Sequence, residues 1–221
     1  MTTATAPTSA PAQRVVLRGV SWETYESLLD ELVGQHLRLT YDKGTLEIMS
    51  PSRRHARAQK FIARLIESFT LELAIPLVGL RDTTWKSESL AKGLEADECY
   101  YIANAAWVAS LDEDYEIHLP GDPPPDLAIE VDITSSSLDK EAIYASLGVP
   151  ELWRWEDGHL HVRALRSDGT YERRSASIAL PRLPVSVIEQ YVSRRTTADD
   201  TTVMREFSAW VRTQFTPPAR Q

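Results

Sequence analysis

Apolar residues recur at three- and four-residue steps in several parts of the chain, a spacing typical of helices with one buried face. The first such helix starts near Ser21, whose hydroxyl can cap it. The longest runs over residues 51–73, with Ser50 as the expected cap and Pro51 at the first helical position. Two further segments have helical spacing: residues 137–147, and residues 184–215 in two pieces.

Shorter apolar or alternating runs predict strands between these helices. Residues 37–41 and 45–49 form a predicted hairpin, because Gly44 supplies the positive φ that a tight turn needs. Strands and helices interspersed in this way predict an α/β fold with a mixed central sheet flanked by helices. The other predicted strands are residues 76–80, 98–103, 126–132, 151–155 and 160–165, and a segment near Tyr171.

A chain of 221 residues suits one domain with extensions. Residues 1–13 are almost all Thr, Ala, Pro and Ser, and this composition predicts a disordered tail. We assign residues 14–195 to the domain and residues 196–221 to a C-terminal helical extension. The extension carries apolar residues at helical spacing, which favours packing onto its own domain over a docking or dimer role.

The protein is acidic, with a net charge of −8 and a sequence pI near 5.2. Nucleic-acid binders are usually basic, so this charge argues mildly against tight nonspecific binding of duplex DNA. It does not exclude a metal nuclease, which concentrates carboxylates where its cations bind. Cys99 is the only cysteine, which excludes a disulfide within the chain and favours a buried thiol in a reducing compartment. With no secretory signal and no apolar run long enough to span a bilayer, we expect a soluble, cytoplasmic protein with no membrane partner.

The most informative segment is an apolar strand that carries acids. Asp126, Glu130 and Asp132 differ by even numbers, so their side chains point to one face of a strand. Burying ionised carboxylates together is costly, and a hard divalent cation such as Mg²⁺ or Mn²⁺ would neutralise them. The alternative is an amphipathic strand whose acids face water, and periodicity alone does not decide between the two.

Two further acids and a lysine flank this strand. Glu95 and Asp97 lie just before another predicted strand, and two carboxylates from neighbouring strands are the minimum for a phosphodiesterase metal site. An isolated acid here would be a turn or cap residue, so Asp97 gains its interest by pairing with Glu130. Lys140, on the next helix, could orient an attacking water or stabilise charge on a phosphate; otherwise it is a surface lysine.

The start of the long helix is basic. His55 lies among arginines in its first turns, where the helix N-terminus could receive a phosphate; the alternative is a solvated basic patch. Glu47, on the preceding predicted strand, could face the same cavity. Together with Glu95 and Asp132, these two are candidate pocket residues.

Three segments carry a resemblance to a known family: GTLEIMSPSRRHARA (residues 44–58), GLEADECYYI (93–102) and PPDLAIEVDITSSSLDKEAIYASLGVPELWRW (124–155). In this order they resemble the Uma-type restriction endonucleases of the PD-(D/E)XK nuclease superfamily. The resemblance covers most of the chain, residues 20–190. It implies a restriction-endonuclease-like fold with a mixed central sheet.

The resemblance also implies roles for individual residues. Asp97 matches the metal-binding aspartate, and Glu130 matches the second acid. The carbonyl of Val131 would be a third metal ligand. Asp126 matches the family's second PD motif and would line the same pocket, and Lys140 matches a lysine displaced onto the following helix.

The sequence departs from the superfamily pattern at two positions. Asp132 stands where the lysine normally follows the acid by two residues, so activity depends on Lys140 reaching back into the site. Ala96 replaces the usual proline before the first aspartate. The change is mild, because a proline there would stiffen the entry to the strand and would not bind a ligand. His55 and Glu47 match the family's N-terminal motif.

These features lead us to expect a Mg²⁺-dependent (or Mn²⁺-dependent) endonuclease that hydrolyses DNA phosphodiester bonds. A homodimer is a further expectation, for which the sequence offers no interface. The alternative is a catalytically inactive protein that keeps the nuclease fold for binding or as a scaffold, and both the acidic net charge and Asp132 favour it. Metal-dependent hydrolysis of another phosphoester is a third hypothesis.

Overall fold

The structure, a computed structural model, describes residues 13–81, 83–112, 114–132 and 136–215. The predicted tail lies outside the described residues except for Gln13, which begins the first strand. In chain order the elements are β1 (Gln13–Arg18), α1 (Trp22–Glu31), β2 (Arg38–Asp42), β3 (Thr45–Ser50), α2 (Arg53–Glu72), β4 (Val78–Gly79), β5 (Thr84–Ser87), β6 (Lys92–Glu95), β7 (Glu98–Tyr101), α3 (Ala105–Val108), β8 (Leu127–Asp132), α4 (Lys140–Ser146), β9 (Glu151–Glu156), β10 (His159–Leu165), β11 (Tyr171–Arg174), α5 (Val185–Arg194) and α6 (Asp200–Phe215).

Five strands form an antiparallel sheet in the order β1-β3-β2-β6-β5. Its centre is the predicted hairpin of β2 and β3, which turns at Lys43 and Gly44. Both turn residues have positive φ, 45° and 85°, so the turn follows the twist of the two strands. Helix α1 packs on this sheet through Tyr25, whose ring stacks on that of Tyr41 with centroids 4.8 Å apart.

Six strands form the second sheet, in the order β11-β10-β9-β8-β7-β4. Strands β8 and β9 are parallel and are joined through α4, whereas the other pairs are antiparallel. The mixed sheet of an α/β fold is therefore confirmed. Strand β8 is buried on both faces: Leu127, Ile129 and Val131 share a core with α2, α5 and α6, and Ala128 shares another with α4. The face that carries Glu130 is thus also covered.

Helix α2 begins later than the sequence predicts. Its cap is Ser52, whose Oγ accepts a hydrogen bond from the backbone N–H of His55 at 3.2 Å. The expectation that Ser50 caps the helix and Pro51 begins it is wrong, because the β3 ladder continues to Ser50, which pairs with Gln13.

Helix α6 completes the core that α2 begins. Val203, Phe207 and Val211 are fully buried in the cluster that also contains the apolar face of α2. At the end of the two helices, Arg212 Nη1 donates to Glu72 Oε1 at 2.6 Å. Across the described residues, no helix has the length and apolar character needed to cross a membrane.

Cys99 is an ordinary buried thiol in β7. Its Sγ donates a hydrogen bond to the carbonyl of Leu80 at 2.7 Å. Burial raises the pKa of this thiol to about 12, so it stays protonated at neutral pH. A nucleophilic role is therefore not supported.

Candidate active site

Asp97 lies in the short connection between β6 and β7, where the chain passes from one sheet to the other. Its side chain is buried, and its Oδ2 accepts a hydrogen bond from the backbone N–H of Val131 at 2.8 Å. The same oxygen lies 3.0 Å from His55 Nε2. On the other side, Arg38 Nε lies 3.8 Å from Oδ1. Side chains and backbone from three elements thus hold this carboxylate in place.

Helix α2 holds Asp97 through two side chains that are four residues apart and so share one face. His55 contacts the carboxylate, and Gln59 Nε2 donates to the Asp97 carbonyl at 2.5 Å. Both side chains are buried. The sequence singled out His55 without deciding between a functional role and a solvated patch, and the structure places it against Asp97. The sequence does not single out Gln59, whose only signal is its four-residue spacing from His55.

Glu130 lies in the middle of β8 and is 1% exposed. Its two oxygens have separate partners on α4: Lys140 Nζ lies 2.5 Å from Oε2, and the Tyr144 hydroxyl donates to Oε1 at 2.5 Å. Lys140 and Tyr144 are again four residues apart, so one face of α4 holds the carboxylate. Lys140 therefore does reach back into the site, and Tyr144 is a further member that the sequence did not reveal.

Burial and the neighbouring charges together set the protonation of these groups. It raises the pKa of Glu130, and the like charges of Asp97 and Asp132 raise it further, although Lys140 opposes them. Burial also acts to raise the pKa of Asp97, but the hydrogen bond and charge of His55, together with Lys140, outweigh it and hold that pKa below its ordinary value. The pKa of Lys140 is raised: burial opposes this, and the charges of Glu130 and Asp97 outweigh burial. At neutral pH the site therefore contains an ionised Asp97 and a charged Lys140.

Asp97 and Glu130 are the side chains that could hold a metal ion. Asp97 comes from the β6–β7 connection and Glu130 from β8, and the negative charge of Asp97 acts to raise the pKa of Glu130. Mg²⁺ usually binds one or two carboxylates and keeps several waters, so two carboxylates fit its needs. The N–H of Val131 points to Asp97, and since the N–H and C=O of one strand residue point to the same side, its carbonyl is a fitting third ligand. In the ranges that the structure describes, no three His, Cys, Asp or Glu side chains are grouped to hold a metal.

The structure does not bring Asp126 into this site. Its Oδ2 accepts hydrogen bonds from the backbone N–H groups of Ile102 and Asn104, at 2.7 and 3.2 Å. It precedes β8, four residues from Glu130, which corresponds to about 13 Å along a strand. The even spacing of the acids predicts a shared face but not a shared position along the strand. Asp126 instead holds the turn that leads into α3.

Asp132 and Glu95 border the site but have their own partners. The Oδ2 of Asp132 accepts hydrogen bonds from Arg154 Nε and Nη2, at 2.9 and 2.7 Å. Arg154 also donates to Glu141 Oε1 at 2.7 Å. Glu95 Oε2 accepts from the backbone N–H of Leu39 at 2.9 Å. The position that normally carries the superfamily's lysine is thus part of an ion-pair network with Arg154.

Glu47 positions the segment that leads into α4. It is buried, and Arg14 Nη1 donates to its Oε1 at 2.7 Å. Ser136 Oγ donates to the same carboxylate at 2.9 Å, and the backbone N–H of Ser137 does so at 2.8 Å. Burial acts to raise the pKa of Glu47, but these serine hydrogen bonds and Arg14 outweigh it, so the pKa is lowered. Glu47 thus ties β3 to the segment just before Lys140.

We expect Glu47→Gln to lower the free energy of unfolding at pH 7 by about 1.5–3 kcal/mol, because it removes charge-assisted hydrogen bonds. A lowered pKa stabilises the fold above the ordinary value of 4.5, and this contribution is lost as the pH falls through the folded value. Urea denaturation of both proteins at pH 7 and pH 3 measures the difference. A difference of equal size at both pH values would contradict the role given to the ionised carboxylate.

A large cleft adjoins the site from the side of the five-stranded sheet. Its volume is about 1370 Å³, and its walls come from α1, β2, β5 and residues 115–119. Arg38 and Gln59, both neighbours of Asp97, form part of its lining. Glu130 and Lys140 do not line it. The cleft therefore approaches Asp97 only through the side chains that hold it.

Comparisons with known proteins identify the family. No curated protein matches the chain. Among solved structures, the crystal structure of "a putative nuclease belonging to DUF820" from Anabaena variabilis ATCC 29413 is similar, with 13% sequence identity and a TM-score of 0.48. The similarity covers 70% of this chain and 90% of that one. A family model described as "Putative restriction endonuclease" matches residues 22–196, which is most of the chain, and the protein therefore belongs to the Uma2 family.

Proposed function

We propose that the protein is a Mg²⁺-dependent endonuclease that hydrolyses phosphodiester bonds in DNA. The observation that carries this proposal is the convergence of Asp97, Glu130 and Lys140. Asp97, in the β6–β7 connection, accepts a hydrogen bond from the backbone N–H of Val131, the neighbour of Glu130 in β8, and Lys140 Nζ lies 2.5 Å from Glu130 Oε2. The family of the chain supports a nuclease over other phosphoester hydrolases.

In the proposed reaction, Asp97, Glu130 and the Val131 carbonyl would hold the metal. Bound Mg²⁺ would lower the pKa of a coordinated water and polarise the scissile phosphate. Lys140 supplies a fixed positive charge where negative charge grows on the phosphate, and no reorganisation is needed because the helix already holds it. Tyr144 keeps one oxygen of Glu130 occupied, which fixes the direction of the other.

His55 occupies one oxygen of Asp97, as Tyr144 occupies one oxygen of Glu130. Its Nε2 lies against Asp97 Oδ2, the same oxygen that accepts from Val131 N–H. The second oxygen, Oδ1, has Arg38 at the longer distance of 3.8 Å. Oδ1 would therefore be the oxygen of Asp97 with more room to hold a metal.

A plasmid-nicking assay with Mg²⁺ or Mn²⁺ tests the proposal. We expect the wild type to nick supercoiled DNA and EDTA to abolish this. Asp97→Asn and Glu130→Gln should reduce nicking to background, because each removes a charged metal ligand while keeping the shape of the side chain. Asp126→Asn is the matched control: it removes the same charge outside the site and should leave nicking in place, provided that its denaturation midpoint is preserved.

The competing hypothesis is a catalytically inactive scaffold, which Asp132 at the usual lysine position favours. Equal background activity in the wild type and both site variants would support it and overturn our proposal. Calorimetric titration with Mg²⁺ separates the two further. An absence of binding heat at millimolar metal would also point to the scaffold, whereas binding that Asp97→Asn removes would support the nuclease.

A further inference from the structure

The solvent face of α2 carries a line of positive charge. Arg53, Arg57, Lys60 and Arg64 lie within about 60° of one another around the helix axis, at 3.6 residues per turn. Arg53, Arg57 and Lys60 are exposed, and Arg64 is partly so. His55 and Gln59, which hold Asp97, lie on the opposite face. One helix thus presents the candidate site on its buried side and a cationic stripe on its outer side.

The junction of α5 and α6 extends this stripe. Arg195 Nη1 donates to the carbonyl of Arg57 at 2.8 Å, and its guanidinium lies 5.3 Å from the ring centroid of Phe61. Arg54, in the first turn of α2, is near enough for its charge to act on Arg195, and Arg194 precedes Arg195 at the end of α5. We call this set the arginine surface; its members are Arg53, Arg54, Arg57, Lys60, Arg64, Arg194 and Arg195.

Few acids neutralise the arginine surface. Asp200 is shared between Arg57 and Arg64, at 3.9 and 3.6 Å, and Arg194 pairs with Glu206. Within the described residues, Arg53, Arg54 and Lys60 form no ion pair. Burial lowers the pKa of Arg195, and so do the like charges of Arg57 and Arg54, against the opposing charge of Asp200. In a chain of net charge −8, this surplus of positive charge is a local feature and not a result of the average composition.

We propose that the arginine surface binds the phosphate backbone of duplex DNA. From Arg53 to Arg64 the stripe is about 17 Å long, at 1.5 Å per residue. This length corresponds to about five base pairs of duplex, at 3.4 Å per phosphate along each strand. Exposed pairs such as those with Asp200 contribute little, so phosphates can replace them at low cost. The inference rests on the proposed function, since it names a surface that would retain the same polymer on the protein at a point away from the cut.

The arginine surface faces away from Asp97 and Glu130, so it contributes to binding and not to bond breaking. Phosphate contacts of this kind position a duplex without reading its sequence. They also explain how an acidic protein can bind DNA, since only the local field matters at close range. We therefore expect the effect of these residues in Kd and KM, with a much smaller effect on kcat.

The test is the affinity for a fluorescent 20-base-pair duplex, measured by anisotropy in EDTA at several salt concentrations. The variant carries Arg53→Gln, Arg54→Gln and Lys60→Gln, which remove charge without breaking an ion pair. We expect Kd to rise about tenfold or more, and the slope of log Kd against log salt to fall by two to three, since each phosphate contact contributes about 0.9. The matched control carries Arg18→Gln, Lys43→Gln and Arg173→Gln, exposed positions outside α2 that form no ion pair among the described residues, and its Kd should change little.

Three results would overturn the inference: a wild-type salt slope near zero, an unchanged slope in the variant, or an equal loss in the control. Denaturation midpoints confirm that both variants fold, and Arg53→Lys with Arg54→Lys, which keeps the charge, should retain the wild-type slope. The nicking assay separates this inference from the proposed function. If the protein cuts DNA with metal but the arginine-surface variant binds as the wild type does, only the inference is overturned. If DNA binds through this surface but is not cut, only the endonuclease proposal is overturned.

Discussion

Replacing Lys140 with methionine is expected to reduce metal-dependent nicking by about 10²–10³-fold, the usual cost of losing one preorganised positive group at a transition state. Methionine has a similar length but carries no charge, so Glu130 would lose the ammonium 2.5 Å from its Oε2. The Glu130 side chain is only 2% exposed, so bulk water gives its charge little screening once the lysine is gone. Single-turnover cleavage of a plasmid at saturating Mg²⁺ measures the loss.

The same substitution should also destabilise the fold, by about 3–5 kcal/mol at neutral pH, because it leaves a buried carboxylate without its cation. The pKa of Glu130 is raised in the folded protein. Its contribution to the stability of the fold is therefore present below the ordinary pKa of 4.5 and is lost as the pH rises through the pKa of the folded state. Lys140 acts to lower the pKa of Glu130, so without Lys140 more stability is lost as the pH rises. The gap between wild type and variant in urea denaturation should therefore widen from pH 4 to pH 8.

Lys86→Met is the matched control, because Lys86 forms a largely exposed pair with Glu26 at 3.0 Å. Exposed pairs contribute about 0–1 kcal/mol, so we expect little change in stability or nicking. Equal effects of the two methionine variants would contradict the central position given to Lys140. A stability gap for Lys140→Met that does not depend on pH would contradict its pairing with Glu130.

Phe207→Ala is expected to lower the free energy of unfolding by about 3–5 kcal/mol, the range for removing a buried aromatic ring. Phe207 is fully buried in α6, where its ring packs edge-on against Tyr191, with centroids 5.1 Å apart. It also stacks with Trp210 at 5.9 Å. Urea denaturation followed by tryptophan fluorescence measures the change.

Leu71→Ala provides the comparison, since it removes a large apolar side chain from α2 that is 81% exposed. Its effect should stay within about 0.5 kcal/mol. A loss of less than 1 kcal/mol for Phe207→Ala would mean that α6 is an appendage and not a part of the core. The boundary drawn from sequence at residue 196 stays a prediction, as does the homodimer.

The long helices and the main strands could be predicted because their apolar periodicity is strong; β1, β5 and α3 were not predicted, and neither was β6. Two of its buried residues are Lys92 and Gly93, which are typical of a loop. Gly93 is required because the ring of Tyr25 packs so closely on its backbone that a Cβ would collide with it. Lys92 is buried because it pairs with Asp42 at 2.8 Å. Both reasons depend on partners that are distant in the sequence.

The candidate site was predictable in its main acids and less so in its other members. Even spacing predicts which face of β8 a side chain lies on, so the sequence groups Asp126 with Glu130. The two residues nevertheless lie at different positions along the strand. The family resemblance points to Asp97 and Lys140; Lys140 contacts Glu130, and Asp97 accepts a hydrogen bond from Val131, the next residue along β8. Tyr144 could not be singled out, because a tyrosine four residues after a lysine is common in helices. The roles of all these residues stay predictions until the variants are measured.

The contact between α2 and α6 has a consequence for how the protein is made. Residues that meet there, such as Glu72 and Arg212, are 140 positions apart in the chain. A ribosome adding 5–20 residues per second needs about 7 to 28 s to cover that distance. During this time the apolar face of α2 has been synthesised but its covering helix has not. A nascent chain of this protein is therefore exposed to chaperones and to self-association for many seconds before its core can close.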